Sequence, residues 1–355
     1  MSSSYFSFMT DASTITDISK MVNDSSEQFQ IYVILALALV ILIIFLYVLI
    51  RSNRKRDTEC KNINYLYPRL NNNIKPITEN DPNCRKNLCK YYIKTAYNAC
   101  SGGDYTNDYV DICILSAIIK QGVRCLDFQI FSMDDNPVVS TSTLDNLHVK
   151  ETYNYVSFAN VMNTINSNAF ASGTCPNYTD PLIIHLRINS SNQKMFTKLA
   201  KILGMYSNRM LGSKFSYNNT STDTNDLANT PILSLKNKII IIVNKSNDAF
   251  LENDDLMEFV NMVSMSLKMR IYDYVNIKNM SLNDKSELLS FNNNNMTIVI
   301  PDRGNKPPNP DPTICRASGC QMVAMRYQLG DGLNKADELF FNQTGYAFVL
   351  KPTPS

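Results

Sequence analysis

Gly122-Val-Arg-Cys-Leu-Asp-Phe-Gln129 runs straight on into Ile130 and Phe131. Its short, apolar, β-branched character predicts a strand over residues 124–131. Similar runs predict strands at 182–188, 238–243 and 296–300. None alternates polar with apolar in period 2, which suits a parallel sheet covered on both faces. Helical patterns fall between them, at 109–121, 158–166, 193–203 and 256–268. Strands and helices therefore interleave from about Lys90 onward, and over some 260 residues this predicts an α/β fold of the TIM type, a (β/α)8 barrel. The polar segment 218–230 reads as a surface excursion.

Upstream of the barrel the chain changes character. From Ile31 to Ile50 it reads IYVILALALVILIIFLYVLI, with no charge, Pro or Gly. Twenty apolar residues in a helix match the ~30 Å hydrocarbon core of a bilayer, and Tyr32 and Tyr47 sit where interfacial aromatics belong. The predicted organisation is a polar tail at 1–30, a single transmembrane helix at 31–50, a basic, polar stalk at 51–89 and a barrel at 90–355. Arg51, Arg54, Lys55 and Arg56 follow the span, so the positive-inside rule places the barrel on the cytosolic side. The same cluster suits anionic lipid headgroups. A net charge of +2 over 355 residues gives no reason to expect a nucleic-acid partner. All nine cysteines follow the span. Two close pairs, Cys84/Cys89 and Cys315/Cys320, lack the His partners or CxxC spacing of a zinc site, and the spacing leaves open whether they are thiols or disulfides.

Seven further segments, in order, give the barrel a resemblance. The opening stretch resembles GCRCVELD, the second barrel strand of the phosphoinositide-specific phospholipase C X region. Tyr92-Ile-Lys-Thr-Ala-Tyr-Asn98 is similar to that family's FI-x-S-S-H-N. Pro137-Val-Val-Ser-Thr-Ser-Thr143 takes the place of PVIYHGH, and Pro181-Leu-Ile-Ile-His-Leu-Arg187 that of PVILSLE. Leu235-Lys-Asn-Lys-Ile-Ile-Ile looks like LKGKILV, and Met269-Arg-Ile-Tyr272 like SRIYP. Gly319-Cys-Gln-Met-Val-Ala324 nearly reproduces GCQMVAL, and Gly345-Tyr-Ala-Phe-Val-Leu-Lys-Pro352 ends as GYxLKP does. The Asn runs at 71–73 and 292–295 suit an A+T-rich genome; with the resemblance they point to a large DNA virus, and hence to a virion membrane.

The resemblance implies chemistry that these residues do not supply. The family uses two histidines on the phosphodiester and a Ca²⁺ held by Asn and three carboxylates. Here Tyr97 and Thr143 occupy the histidine positions. Of the metal positions Asn98 remains and Asp127 replaces Glu, but Gln129 and Arg187 replace carboxylates. Tyrosine titrates near ~10 and threonine not at all in the useful range, so neither is an effective acid–base at neutral pH. Ca²⁺ takes six to eight oxygens, and Gln129 and Arg187 weaken the site to the point that no cofactor is expected. Bacterial relatives of the fold use an arginine in place of the metal, on the strand corresponding to Gln129. His185 and His148 are the remaining proton-transfer candidates. His185 shares a strand face with Arg187 but lies deeper.

Two arrangements follow for the ligand-binding candidates Asn98, Asp127, Arg187, Arg270 and Tyr272. Asn98, Arg187 and Arg270 can form an anion pocket at the rim, or Arg187 can pair internally with Asp127. The expected function is that of a membrane-anchored pseudoenzyme engaged in binding, scaffolding or virion assembly with protein partners. The alternatives are a divergent phosphoinositide phosphodiesterase and a headgroup-binding module without turnover.

Overall fold

The computed structural model describes residues 12–143, 148–218 and 226–352; the start of the predicted tail and the middle of the 218–230 excursion lie outside them. Among the described residues eleven strands form: β1 (Tyr91–Ala96), β2 (Cys125–Met133), β3 (Asn136–Ser140), β4 (Val156–Ser157), β5 (Leu182–Ile188), β6 (Ile239–Asn244), β7 (Met262–Ser264), β8 (Met269–Asp273), β9 (Met296–Ile300), β10 (Met322–Met325) and β11 (Phe348–Leu350). The helices are α1 (Ala12–Leu66), α2 (Ile112–Lys120), α3 (Phe158–Asn168), α4 (Gln193–Gly204), α5 (Asp254–Met257), α6 (Tyr274–Lys278), α7 (Leu282–Phe291), α8 (Pro312–Ala317) and α9 (Gly332–Thr344).

Eight strands run parallel in the order β7-β6-β5-β2-β1-β10-β9-β8, with β7 and β8 flanking the remaining seam. The expected TIM-type barrel is what forms. The strands do not alternate because both faces are buried. Cys125, Ile183, Ile240, Ile298 and Met322 fill the inside, while Leu126, Phe128, Ile184, Ile241 and Val299 face the helix layer.

Two motif glycines are fixed by geometry. Gly122 has φ +74°, and a Cβ there would meet Ile74, Pro176 and Asn177 at 3.1 Å. Gly319 has φ +71° and would place a Cβ 2.9 Å from Leu289. Only glycine adopts these angles at no steric cost. Gln321, two residues on, donates to the carbonyls of Cys89, Asn292 and Asn295 and accepts from Thr297 N–H. It ties the starts of β1 and β9 together.

The chain divides into two compact units, Met1–Lys55 and Arg56–Ser355. A helical stretch long and apolar enough to cross a membrane runs over Gln28–Leu66, beginning in the first unit and ending past Lys55. Helix α1 extends beyond residues 31–50 in both directions, so the predicted tail is helical from Ala12. The predicted stalk is divided too, since residues from Arg56 onward belong to the barrel unit. Ile63 and Tyr67 are buried in the outer core, Tyr67 meets the Tyr327 ring at a tilt, 5.5 Å between centres, and Ile74 and Ile77 join the inner cluster. The polar residues around them concealed these four anchors.

One local expectation changes, and one point that the spacing left open is decided. The segment 256–268 is not one helix; α5 ends at Met257 and β7 pairs with β6. Asn261 decides this, because its side chain accepts from Ile241 N–H and its own N–H donates to Ile241 O, which starts a ladder. The cysteine pairs 84/89 and 315/320 are buried free thiols, and the disulfide joins Cys60 of α1 to Cys113 of α2. Arg56 pairs with Asp111 one turn away. Closing a loop of 53 residues stabilises by about 4 kcal/mol in the chain-entropy model. We expect Cys60→Ser to lower the unfolding free energy by about 2–4 kcal/mol. Alkylation and mass spectrometry should find seven modifiable thiols in the denatured, unreduced chain and two more after reduction.

Candidate functional site

The site lies inside the barrel at the C-terminal ends of the strands. Register sets it: Asp127 pairs with His185 and Gln129 with Arg187 across β2 and β5, so all four side chains point inward. Asn98 follows β1 with φ 43°, a left-handed turn that asparagine tolerates, and its own N–H donates to Asp127 Oδ1 at 3.2 Å.

Arg187 is the hub. Its Nε donates to Asp127 Oδ2 at 3.0 Å and its Nη2 to Asp127 Oδ1 at 2.7 Å. Nη2 also donates to Asn98 Oδ1 at 2.7 Å. The guanidinium lies 4.4 Å from the Tyr97 ring centre. Tyr97 meets Tyr105 edge-on at 5.6 Å, and Arg326 sits over the other tyrosine ring at 4.6 Å. Arginine, tyrosine, tyrosine and arginine thus form one unbroken series of contacts. Tyr97 is 7% exposed and Tyr105 1%, while Asp127, His185 and Arg187 have no exposed surface.

His185 lies one layer deeper. Its Nδ1 is 2.7 Å from Asp127 Oδ2 and its Nε2 3.1 Å from Ser264 Oγ. An ionised Asp127 only accepts, so Nδ1 carries the proton. Ser264, His185 and Asp127 thereby form the hydrogen-bond sequence of a hydrolase triad, but all three are fully buried and Arg187 shares the carboxylate. Burial alone would raise the Asp127 pKa; the Arg187 charge and the His185 hydrogen bond outweigh it and hold the carboxyl at about 2.

The other expected residues take partners of their own. Gln129 Oε1 accepts from Ser142 N–H at 2.9 Å. Thr143 donates its hydroxyl and its N–H to Glu151, and His148 is exposed on the connection from β3 to β4. The rim anion pocket combining Arg270 with Arg187 and Asn98 does not form. On β8, Met269 and Ile271 face the barrel interior, which turns Arg270 and Tyr272 to the outer face. Arg270 forms a two-pronged pair with Glu287 at 2.7 and 2.9 Å and covers Phe291. The internal Arg187–Asp127 pair is the arrangement that forms. Sequence reasoning missed Ser264, Tyr105 and Arg326, which reach the site from distant segments and carry no motif.

The residues at the family's calcium positions do not fit that ion. Asn98 Oδ1, both Asp127 oxygens and Gln129 Oε1 already accept hydrogen bonds, and a guanidinium lies among them. Ca²⁺ requires six to eight oxygens free to turn toward it.

A phospholipase C-like barrel with a filled interior is the class that this fold and site define. The phosphatidylinositol-specific phospholipase C X-domain model matches residues 84–245 and the Y-domain model residues 237–354; the chain belongs to this family. Among solved structures it is similar to PLC21 of L. pealei and of S. officinalis. Each is 16% identical with a TM-score of 0.59, over 76% of this chain and 38% of the other. The chain thus corresponds to well under half the length of those proteins. The phosphatidylinositol-specific phospholipase C of Listeria monocytogenes is 12% identical with a TM-score of 0.42, over 72% of this chain and 96% of that one. A search of curated proteins finds no match.

Proposed function

We propose that this protein is a membrane-tethered, catalytically silent phospholipase C-like barrel that serves binding or assembly. The observation that carries this reading is the Arg187 guanidinium, bonded to Asp127 and Asn98 beneath Tyr97 with no exposed surface. It stands at a position where the resemblance puts a calcium-ligand carboxylate. Each missing positioned acid–base is worth about 10²–10⁴ in rate, and two are missing. No calcium cofactor is part of this proposal.

We place the tether in the apolar helix near the N-terminus and the barrel on the cytosolic face. The basic run after the span supports this side, as do three Asn-x-Ser/Thr sequences whose asparagines, Asn177, Asn189 and Asn244, are buried. A glycan on any of them would block folding of the barrel. The Cys60–Cys113 bond then needs an oxidant acting on that face. A virion membrane is one setting that suits such a protein, with protein partners in an assembly and anionic lipid near the basic run.

The test is release of inositol phosphate from phosphatidylinositol vesicles by the full chain, with calcium or with chelator. We expect none above protein-free vesicles. One observation favours a second reading, the Ser264–His185–Asp127 sequence, which a hydrolase would use. Release abolished by His185→Gln, or labelling of Ser264 by a fluorophosphonate, would establish that reading and end the first.

A further inference from the structure

The opposite end of the barrel holds a cavity that the rim does not explain. Lys90 directly precedes β1, Asn293 precedes β9 and Gly319 precedes β10, so these residues mark the N-terminal ends of the parallel strands. Together with Tyr92, Phe340 and Lys351 they line a hollow of about 800 Å³. That volume lies within the ~300–1,000 Å³ range of small-molecule sites.

One wall is apolar and rigid. Tyr92 and Phe340 meet edge-on at 6.0 Å, and the Tyr92 hydroxyl is fixed by donating to Arg316 O at 2.8 Å. Arg316 lines this side too, but its charge is met by Asp337 while its guanidinium lies 3.7 Å from the Phe340 ring centre. Leu289 completes this side.

The other wall is cationic. Lys90 Nζ donates to Asn293 O at 2.6 Å and Lys351 Nζ to Asn292 O at 3.0 Å, and Lys86 lines the same hollow. Among the described residues no carboxylate lies within ion-pair distance of these three ammonium groups. Lysines at Asn292 and Asn293 cap the C-terminal end of α7, a bland role that favours cations. Capping accounts for one donor on each of two lysines. It leaves their remaining donors, all of Lys86 and the apolar wall without a purpose. Clustered cations without counter-charge oppose one another. Burial brings Lys351 down to about 7, and Lys90 adds a smaller push in the same direction.

We infer that this cavity binds an amphipathic anion, with a phosphate or carboxylate head held by Lys86, Lys90 and Lys351 and an alkyl body lying on Tyr92, Leu289 and Phe340. The inference is independent of whether the rim is catalytic, since a competent enzyme would carry the same hollow.

The experiment is titration calorimetry on the full chain in phosphatidylcholine nanodiscs, with empty discs subtracted. The probes are octyl phosphate, octanoate and inorganic phosphate. At least one amphiphile should bind saturably and at least tenfold tighter than inorganic phosphate, and the better of the two identifies the head group. Each lysine offers charged donors to the head group, so Lys90→Gln/Lys351→Gln should weaken binding by about tenfold or more. Should that variant not fold, Leu289→Glu puts a carboxylate at the partly exposed mouth and should abolish binding. Absence of saturable binding, inorganic phosphate binding as tightly as octyl phosphate, or full affinity in the lysine or Leu289→Glu variants would each overturn the inference.

Discussion

Asp127→Asn will cost the barrel about 3–5 kcal/mol of unfolding free energy, more than a typical core substitution, because it leaves Arg187 as an uncompensated buried charge. The amide keeps the shape, so the loss is electrostatic. It removes the two-pronged acceptor of Arg187 and the acceptor of His185 Nδ1. Urea unfolding of the full chain in nanodiscs, followed by near-ultraviolet circular dichroism of the tyrosines, reads the change. A loss under 1 kcal/mol would mean that the Arg187 pair does not hold the interior.

The pH dependence carries a second signature of the same residue. A carboxyl held at about 2 in the folded barrel and near ~3.9 unfolded contributes about 2–3 kcal/mol at neutral pH. That stability is present above pH 4 and is lost as pH falls toward 2. Asp180 and Asp337 behave oppositely, because burial raises both to about 6. Their contribution is full below about 4 and fades as pH rises through 6. The wild type should therefore firm between pH 7 and 4 and weaken below 4. Asp127→Asn should keep the first limb and lose the second.

The double variant Gln129→Asp/Arg187→Glu will make the barrel calcium-dependent. It returns carboxylates to two positions where the family has them, beside Asn98 and Asp127. Without calcium, three crowded carboxylates repel and desolvate one another, and we expect a loss of several kcal/mol against the wild type. Calcium at a hundred times its dissociation constant should restore about 2.7 kcal/mol, seen as a rise in melting temperature that chelator reverses. The wild type should show no shift, because its guanidinium already supplies positive charge there. Calcium stabilisation of the wild type, or indifference in the variant, would contradict the filled-site account.

Much of this was legible in the residues, and the failures have physical causes. Residues 182–188 and 296–300 appear as strands within their predicted limits because a strand buried on both faces leaves an unbroken apolar run. Asn98, Asp127 and Arg187 were found together because each ends or lines a strand whose parity the motifs fix. Arg270 and Tyr272 were assigned to the same site on motif alone. Their strand presents Met269 and Ile271 inward, a parity set by register with β9 that no local pattern reveals. Tyr105, Ser264 and Arg326 converge from three loops or strand ends, and only closure of the barrel brings them together. Cys60 and Cys113 gave no signal because helix packing, not spacing, makes them neighbours.

The Cys60–Cys113 bond also alters how the molecule would answer a pull. Traction arriving along α1 passes at residue 60 into α2 through a covalent bond, and residues 61–112, which include β1, carry none of it. The strand that joins the two halves of the barrel is then shielded from being peeled away at its own end. Reduction would release roughly 180 Å of hidden extended chain, a length step that single-molecule stretching resolves directly.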